Sequence, residues 1–407
     1  MKDPKKIVLA YSGGLDTSVI LHWLKGRYPG SKLVAFAAEL GQGDELAGIA
    51  RKARASGADE VVVRDLREEF ARDYCFPMLR AHAMYEGVYL LGTSIARPLI
   101  AKHQCMIAKE RNADAVAHGA TGKGNDQVRF ELTCMALAPK LRIISPWKDP
   151  VFIADGLTDR DSALAYAARH GIPVSVSKKK NYSQDRNLWH ISHEGGAIED
   201  ATREAPEECL TITAPVRKAP SSPRYVRVAF KAGVPVAVDG KKLRPHDLIA
   251  KLNSIGGPHA IGQNLIVENR LVGMKSRGLY ETPGGTILYE AHRALQQLCM
   301  ERDLYHAAQQ LALRYAELVY YGQWFHPLRE AMQAFFDEAN RPLTGEVRVK
   351  LLKGRADAVG AKSPRSLYDP KLASFAMSGY DVTAARGFID LFGLPMMVRS
   401  IKQGVRE

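Results

Sequence analysis

The stretch Ile7-Val8-Leu9-Ala10-Tyr11-Ser12-Gly13-Gly14-Leu15-Asp16-Thr17-Ser18 decides how this chain is read. An apolar run ends at Tyr11, and a helical pattern takes over from about Thr17. That order predicts a strand, a tight turn and a helix N-terminus. Gly13 and Gly14 let the backbone approach a ligand closely. Ser12, Thr17 and Ser18 add hydroxyls. The first turn of the helix offers unpaired N–H groups and the positive end of its dipole, which together favour an anion. The loop carries no lysine, so it is not the G-x-x-x-x-G-K-[ST] loop that holds the β- and γ-phosphates of many nucleotide triphosphatases.

Working outward, residues 1 to about 148 alternate strand and helix patterns. Strands are expected at 7–11, 32–40, 60–64, 115–118 and 141–145, and helices at 17–27, 43–56, 67–84, 94–111 and 125–137. Such alternation predicts a doubly wound, mostly parallel α/β sheet covered on both faces. Ligands of such sheets bind beyond the carboxyl ends of the strands. The glycine loop, Ala38 and His118-Gly119 would meet there. Past about residue 170 the pattern becomes α+β. Residues 225–230 and 234–238 read as a hairpin around Gly233, and Val347 to Leu352 begins another. Helices are expected at 246–254, 286–303, 304–320 and 327–339. The tail ends in two helical pieces, 383–392 and 396–404, split by Gly393 and Pro395. The expected domains are 1–170, 171–362 and a C-terminal tail over 363–407.

A chain of 407 residues suffices for two or three domains. Its 46% hydrophobic and 25% charged contents are globular. No apolar run reaches the roughly 18 residues of a membrane helix. The charged start, Met1 to Lys6, lacks the apolar stretch of a signal peptide. The five cysteines (Cys75, Cys105, Cys134, Cys209 and Cys299) lie far apart and form no C-x-x-C pair. That argues against zinc, iron–sulfur and dithiol chemistry and suits a reducing cytoplasm. The net charge of +13 permits nucleic-acid binding, and equally an enzyme that collects anionic small molecules. The charge is scattered, and its longest run is only Lys178-Lys179-Lys180, so a nucleic-acid partner is not expected.

Four further stretches carry chemistry. In His118-Gly119-Ala120-Thr121-Gly122-Lys123-Gly124-Asn125-Asp126, a strand end runs into a glycine-rich turn. Asn125 and Asp126 are placed to cap the next helix. Asp126 can hold an ammonium, and Arg129, one turn on, a carboxylate in bidentate fashion. Lys123 can meet a phosphate. In Tyr89-Leu90-Leu91-Gly92-Thr93-Ser94, Ser94 is placed to cap a helix beginning at Ile95. Asn181 to Gly196 is polar and aromatic with poor helix periodicity, which predicts a ligand-contacting loop. In Val267-Glu268-Asn269-Arg270 and Gly273 to Gly285, Glu268 and Tyr280 stand out as an acceptor and an aromatic hydroxyl.

The SGGxDS/T loop resembles the pyrophosphate-binding loop of the ATP pyrophosphatases, which cleave ATP between its α- and β-phosphates and adenylate a substrate. The blocks AYSGGLDTS, YLLGTSIARP, HGATGKGNDQVRFE, SxDxNLWHIS and VENRxxGMKSRGxYETPGGT, in this order, closely resemble the argininosuccinate synthase family. The resemblance runs from about residue 7 to 355 and weakens in the tail. It implies ATP-dependent ligation of citrulline and aspartate through a citrullyl-AMP intermediate, a step of arginine biosynthesis and the urea cycle. It implies ATP on Ala10, Tyr11, Ser12, Gly13, Gly14, Leu15, Asp16, Thr17 and Ser18, with Ala38 and Gly119. It implies citrulline on Tyr89, Ser94, Asn125, Arg129, Ser183, Ser192, Glu268 and Tyr280, and aspartate on Thr121, Asn125 and Asp126. Ser12, Asp16, Asp126 and Arg129 become the candidate catalytic groups. Magnesium accompanies ATP, with no dedicated protein metal site. The family is a cytoplasmic homotetramer whose second domain serves synthesis and multimerisation and whose C-terminal helix wraps a neighbour. At Glu39 the chain departs from the Asp or Asn more usual in the family.

Three rival readings are weaker. A glutamine-dependent ligase needs a glutaminase cysteine, and residue 2 is Lys2 with no extra domain before the loop. An adenylating tRNA-modifying enzyme of the thiolating type uses paired cysteines. A non-catalytic nucleotide-binding protein would carry a damaged loop, yet Ser12, Asp16, Thr17 and Ser18 are all present.

Overall fold

A computed structural model describes residues 2–122, 124–173, 182–374 and 379–404. Lys123 and the basic run Lys178 to Lys180 lie outside the described residues. The chain separates into two compact units, Met1–Arg365 and Ser366–Glu407.

The first unit opens with five parallel strands: β1 (Lys6–Ala10), β2 (Lys32–Glu39), β3 (Glu60–Asp65), β4 (Ala115–Ala117) and β5 (Arg142–Ile144), in the order β3-β2-β1-β4-β5. The near-continuous apolar content of β1 and β2 follows from cover on both faces. Val8, Val34 and Phe36 point into one core, while Ile7, Leu9, Leu33 and Ala35 point into the other. Helices α1 (Leu15–Arg27) and α2 (Ile49–Ala55) supply one cover; α3 (Gly92–Glu110) and α4 (Asp126–Leu137) supply the other; α5 (Arg160–Arg169) packs beside α1 through Tyr166 and His22. The strand order reverses between β1 and β4, which opens a crevice at their carboxyl ends.

Several expected helices are reshaped. The helix expected at 43–56 is broken at Gly48, whose φ of +72° precedes α2. The one expected at 67–84 is helical only to Arg80, with a π-helical stretch over Ala71–Cys75. α3 begins at Gly92 rather than Ile95, because Leu91 turns left-handed (φ 58°) and ends the preceding strand-like segment early. Cys105 on α3 and Cys134 on α4 meet at 3.5 Å, and all five cysteines are buried and outside any disulfide.

The rest of this unit holds two antiparallel sheets. One, in the order β10-β9-β8-β13-β14, contains both expected hairpins: β8 (Arg224–Lys231) with β9 (Val234–Val238), and β13 (Gly345–Leu352) with β14 (Arg355–Lys362); β10 (Lys241–Lys242) is a short edge. The other, in the order β11-β12-β7-β6, joins β6 (Ser183–Arg186), β7 (Ile191–Glu194), β11 (Gln263–Asn269) and β12 (Lys275–Glu281). Within the loop expected over Asn181 to Gly196, whose first residue lies outside the described residues, Ser183–Arg186 and Ile191–Glu194 are therefore strands. Its strands lack apolar alternation because one face borders a polar cavity. At the turn between them Trp189 is fully buried, its Nε1 donating to the Leu90 carbonyl at 2.9 Å.

Helices α6 (Pro245–Gly256), α7 (Pro283–Cys299), α8 (Arg302–Tyr320) and α9 (Pro327–Ala339) complete the first unit. The α7–α8 boundary falls at Glu301, whose carboxylate accepts from the N–H groups of Asp303 and Leu304 and caps α8. In the second unit, α10 (Ala384–Gln403) is one helix and not the two pieces expected. Pro395 removes a single backbone donor, and the bonds on either side carry the helix through. Phe388 and Phe392, one turn apart, stack at 5.2 Å. Among the described residues no helix is long and apolar enough to cross a membrane.

Candidate functional site

A cavity of about 510 Å³ opens where β1 and β4 end. Its walls are the glycine loop, the Gly119–Asp126 turn, the start of α3 and the β11-β12-β7-β6 sheet.

At the loop, Ala10, Tyr11, Ser12, Asp16 and Thr17 line the cavity, with Ala38 at the end of β2 and Gly119, just past β4 and close against Thr17, beside them. Gly13 has φ +77°, a conformation natural only to glycine, and Ile49 packs where a Cβ would point. Ser12 Oγ lies 3.1 Å from Thr17 Oγ1 and accepts from the Gly14 N–H at 3.3 Å. No side chain caps α1, which leaves its first N–H groups without an intramolecular cap. Gly13, Gly14, Leu15 and Ser18 form the turn without being part of the cavity lining; the Ser18 hydroxyl bonds Tyr11 Oη at 3.0 Å. Burial raises the Asp16 carboxyl above its ordinary range, and Arg160 opposes the shift. Just past β4, His118 Nδ1 accepts from the Ala120 N–H at 3.3 Å and so props the turn that follows. Its Nε2 sits 3.3 Å from Glu131, whose carboxyl is drawn down to about 2 chiefly by that ring.

At the other end, period-two alternation puts Ser183 and Asp185 of β6, Ser192 and Glu194 of β7, Glu268 of β11 and Tyr280 of β12 on the cavity face of one sheet. Tyr280 pairs in register with Ser192, and Ser192 with Asp185. Tyr280 Oη donates to Glu268 Oε1 at 2.9 Å, while Glu268 Oε2 is buried without a partner. Burial pushes the Glu268 carboxyl up, against the pull of Tyr280 and Arg129. The opposite face carries the fully buried His193–Glu281 pair at 2.7 Å. Tyr89, just before α3, packs on Tyr280 with ring centroids 4.7 Å apart.

Between the two ends runs a chain of alternating charges. Arg97 of α3 donates through Nε to Asp126 at 2.8 Å and through Nη2 to Asp185 at 2.5 Å. Arg129 Nη1 donates to Asp126 at 2.9 Å, and its Nε and Nη2 both donate to the Tyr320 carbonyl. Burial alone would raise the Asp126 carboxyl, but the two guanidiniums outweigh it and hold it below the usual range. Asp126 therefore stays ionised. The expected helix cap is absent: Asn125 Oδ1 accepts instead from the Leu271 N–H at 3.0 Å, and Asp126 faces the arginines. The expected Ser94 cap is absent too. Ser94 lies inside the first turn of α3, buried, its hydroxyl without a partner, and it is not part of the cavity lining. Thr121 lines the cavity beside Asp126.

Sequence reasoning missed Thr93, Arg97, Asp185, His190 and Tyr320. Thr93 Oγ1 bridges Asp185 and His190, at 3.0 Å from each. His190 is buried and its ring is lowered to about 4, mainly by that burial, so it is neutral. The first four lie inside quoted motifs and were within reach. Tyr320 ends an ordinary amphipathic helix and carries no local signal.

The described geometry joins a phosphate-type loop to an amino-acid-sized charged pocket, and relatives agree. The model of the arginosuccinate synthase N-terminal HUP domain matches residues 6–173, and that of the arginosuccinate synthase C-terminal domain matches 182–399. An argininosuccinate synthase of Carboxydothermus hydrogenoformans is 56% identical, over 98% of this chain and 98% of its own. One of Roseiflexus castenholzii is 54% identical over the same shares. The chloroplastic enzyme of Arabidopsis thaliana is 52% identical over 98% of this chain and 80% of its own. A solved U34-tRNA thiolase from Methanococcus maripaludis reaches only 16% identity and a TM-score of 0.29, over 44% of this chain and 61% of that one. With both domain models matched and full-length relatives above half identity, this chain belongs to the argininosuccinate synthase family.

Proposed function

We propose that this chain ligates citrulline to aspartate at the expense of ATP, releasing AMP and pyrophosphate. The observation that carries this reading is a single cavity lined at one end by the lysine-free loop and at the other by Tyr280, Glu268, Arg129 and Asp126. The ureido oxygen of citrulline is a poor leaving group. It attacks the α-phosphorus of ATP, the bond to pyrophosphate breaks, and citrullyl-AMP forms. The amine of aspartate then attacks the ureido carbon, the bond from that carbon to the AMP oxygen breaks, and the departing phosphate takes the proton that the nitrogen sheds. The loop from Ala10 to Ser18, with Ala38 and Gly119, takes ATP; its backbone donors face the charge that develops on pyrophosphate. Tyr89, Asn125, Arg129, Ser183, Ser192, Glu268 and Tyr280 take citrulline. Thr121, Asn125 and Asp126 take aspartate, with Asp126 ionised to receive the ammonium. Ser94 is assigned only an indirect role, since it stands behind the lining. Most of the acceleration comes from holding three reactants in line.

Among the described residues no group of three or more His, Cys, Asp or Glu could hold a metal by itself. Magnesium would arrive on the phosphates of ATP and take few protein ligands. Asp16, lining the cavity beside the loop with a carboxyl raised by burial, is the group whose charge such an ion would stabilise. Bound there, magnesium would neutralise departing pyrophosphate. The proposal extends to a cytoplasmic homotetramer, supported by five cysteines outside any disulfide and by the exposed apolar residues of α10.

The test is a product assay with ATP, citrulline and aspartate. Citrulline-dependent AMP and pyrophosphate are expected. Citrulline-dependent ADP and orthophosphate would overturn the adenylation mechanism.

A further inference from the structure

We infer that Tyr320 contacts substrate directly: its phenolic hydroxyl donates a hydrogen bond to the α-carboxylate of the amino acid held between Arg129 and Glu268. The inference rests on the functional reading above, in which that amino acid is citrulline.

Tyr320 is the last residue of α8 and lines the cavity, yet its side chain is fully buried. Its hydroxyl has no hydrogen-bond partner among the described residues. A buried tyrosine hydroxyl normally finds one, and leaving it unpaired is costly. The ring cannot swing to find a partner elsewhere. It stacks on Tyr85 at 3.6 Å between centroids, meets the edge of Tyr89 at 6.1 Å, and has the Arg129 guanidinium over it at 5.0 Å. The main chain of the same residue anchors Arg129 through two hydrogen bonds to its carbonyl.

A second unpaired atom lies in the same cluster. Glu268 Oε2 is buried without a partner, while Oε1 is taken by Tyr280. Glu268 acts on the Tyr320 phenol: after burial, its charge is the next cause that raises the phenol and keeps it protonated. A protonated phenol beside a guanidinium is a donor, and a lone carboxylate oxygen is an acceptor. The ligand that satisfies both carries an anion and an N–H cation a short span apart. That is the head group of an α-amino acid. Such a ligand would pair both groups at once.

The test is Tyr320→Phe, which keeps the ring, its stacking and the backbone carbonyl that holds Arg129. Citrulline is titrated by calorimetry into protein saturated with an ATP analogue that cannot be cleaved at the α-phosphate. The variant should bind citrulline roughly 10- to 150-fold more weakly, the usual range for a hydrogen bond to a charged group. Its affinity for the ATP analogue alone should not change. Without ligand it should melt no lower than the wild type, since an unpaired buried hydroxyl has been removed. A citrulline analogue with its carboxylate amidated should bind wild type and variant within a factor of about two to three of each other. Equal citrulline affinity in both proteins would overturn the contact. So would a parallel fall in melting temperature and in both affinities, which would mark a packing role. If the wild type fails to bind citrulline at all, the functional reading falls and takes this contact with it.

Discussion

Arg97 Nε donates to Asp126 Oδ2 at 2.8 Å, tying α3 to the first residue of α4. The same guanidinium reaches Asp185 on β6, so one side chain aligns three elements around the cavity. Asp126 is thereby a held charge rather than a free one. Any ligand ammonium it receives must share it with two arginines.

Asp126→Asn should impair the second half-reaction more than the first. The substitution keeps the shape and removes the charge that would meet the aspartate ammonium. A hydrogen bond to a charged group is worth about 1.5–3 kcal/mol, or roughly 10- to 150-fold in rate. Citrulline-dependent exchange of pyrophosphate into ATP should survive better than argininosuccinate formation. Equal loss of both would mean that Asp126 serves only to fix Arg97 and Arg129.

Gly92→Ala should destabilise the protein strongly. A Cβ there would lie 2.4 Å from the His190 ring, and that ring is locked by Thr93. Overpacking of this kind costs about 1–3 kcal/mol or more. Urea denaturation reads the effect, and an unchanged midpoint would show that the start of α3 shifts without penalty.

Stability should fall on mild acidification. His82, His190 and His292 are buried, with their rings lowered to about 3, about 4 and about 4 from 6.5. In the unfolded chain they bind protons near pH 6.5, while the folded chain does not until about pH 4. Below pH 6.5 the unfolded state therefore holds more protons, and stability drops as pH falls. The urea midpoint should decline between about pH 6.5 and about pH 5, before carboxylates titrate. A flat midpoint over that range would mean that these rings take up protons while folded.

Removing residues 383–407 should dissociate the assembly before it harms nucleotide binding. Phe388, Leu391, Phe392 and Met396 of α10 are 63–75% exposed in the isolated chain. Burying about five such side chains at roughly 1.5–3 kcal/mol each would hold an oligomer even after ordering costs. The loop from Ala10 to Ser18 lies in the other compact unit, so ATP binding should persist. Sedimentation decides: an oligomer mass reduced only by the missing residues would show that α10 takes no part in assembly.

Much of the first sheet was legible because its signals are local. The strands expected at 7–11 and 32–40 follow from their own composition and are observed as Lys6–Ala10 and Lys32–Glu39. The helix expected at 327–339 is observed as Pro327–Ala339. The misreadings have specific causes. Pro395 suggested a break, but a long helix absorbs the loss of one donor. Ser94 and Asn125 carry the side chains of helix caps, yet their neighbours Leu91 and Leu271 decide otherwise.

By itself the sequence determined the parallel sheet, the glycine turn at its switch point and most residue types of the site, because periodicity and turn chemistry are written over a few consecutive residues. Only the tertiary structure decided how the amino-acid end is built. β7 pairs with β12 across more than 80 residues, joining Ser192 to Tyr280, and no short stretch encodes such a pairing. Strands that face a polar cavity on one side lose the apolar alternation that would announce them. Tyr320 is the extreme case. Locally it is the end of a helix, and its carbonyl meets Arg129 only because the chain returns there after 191 residues.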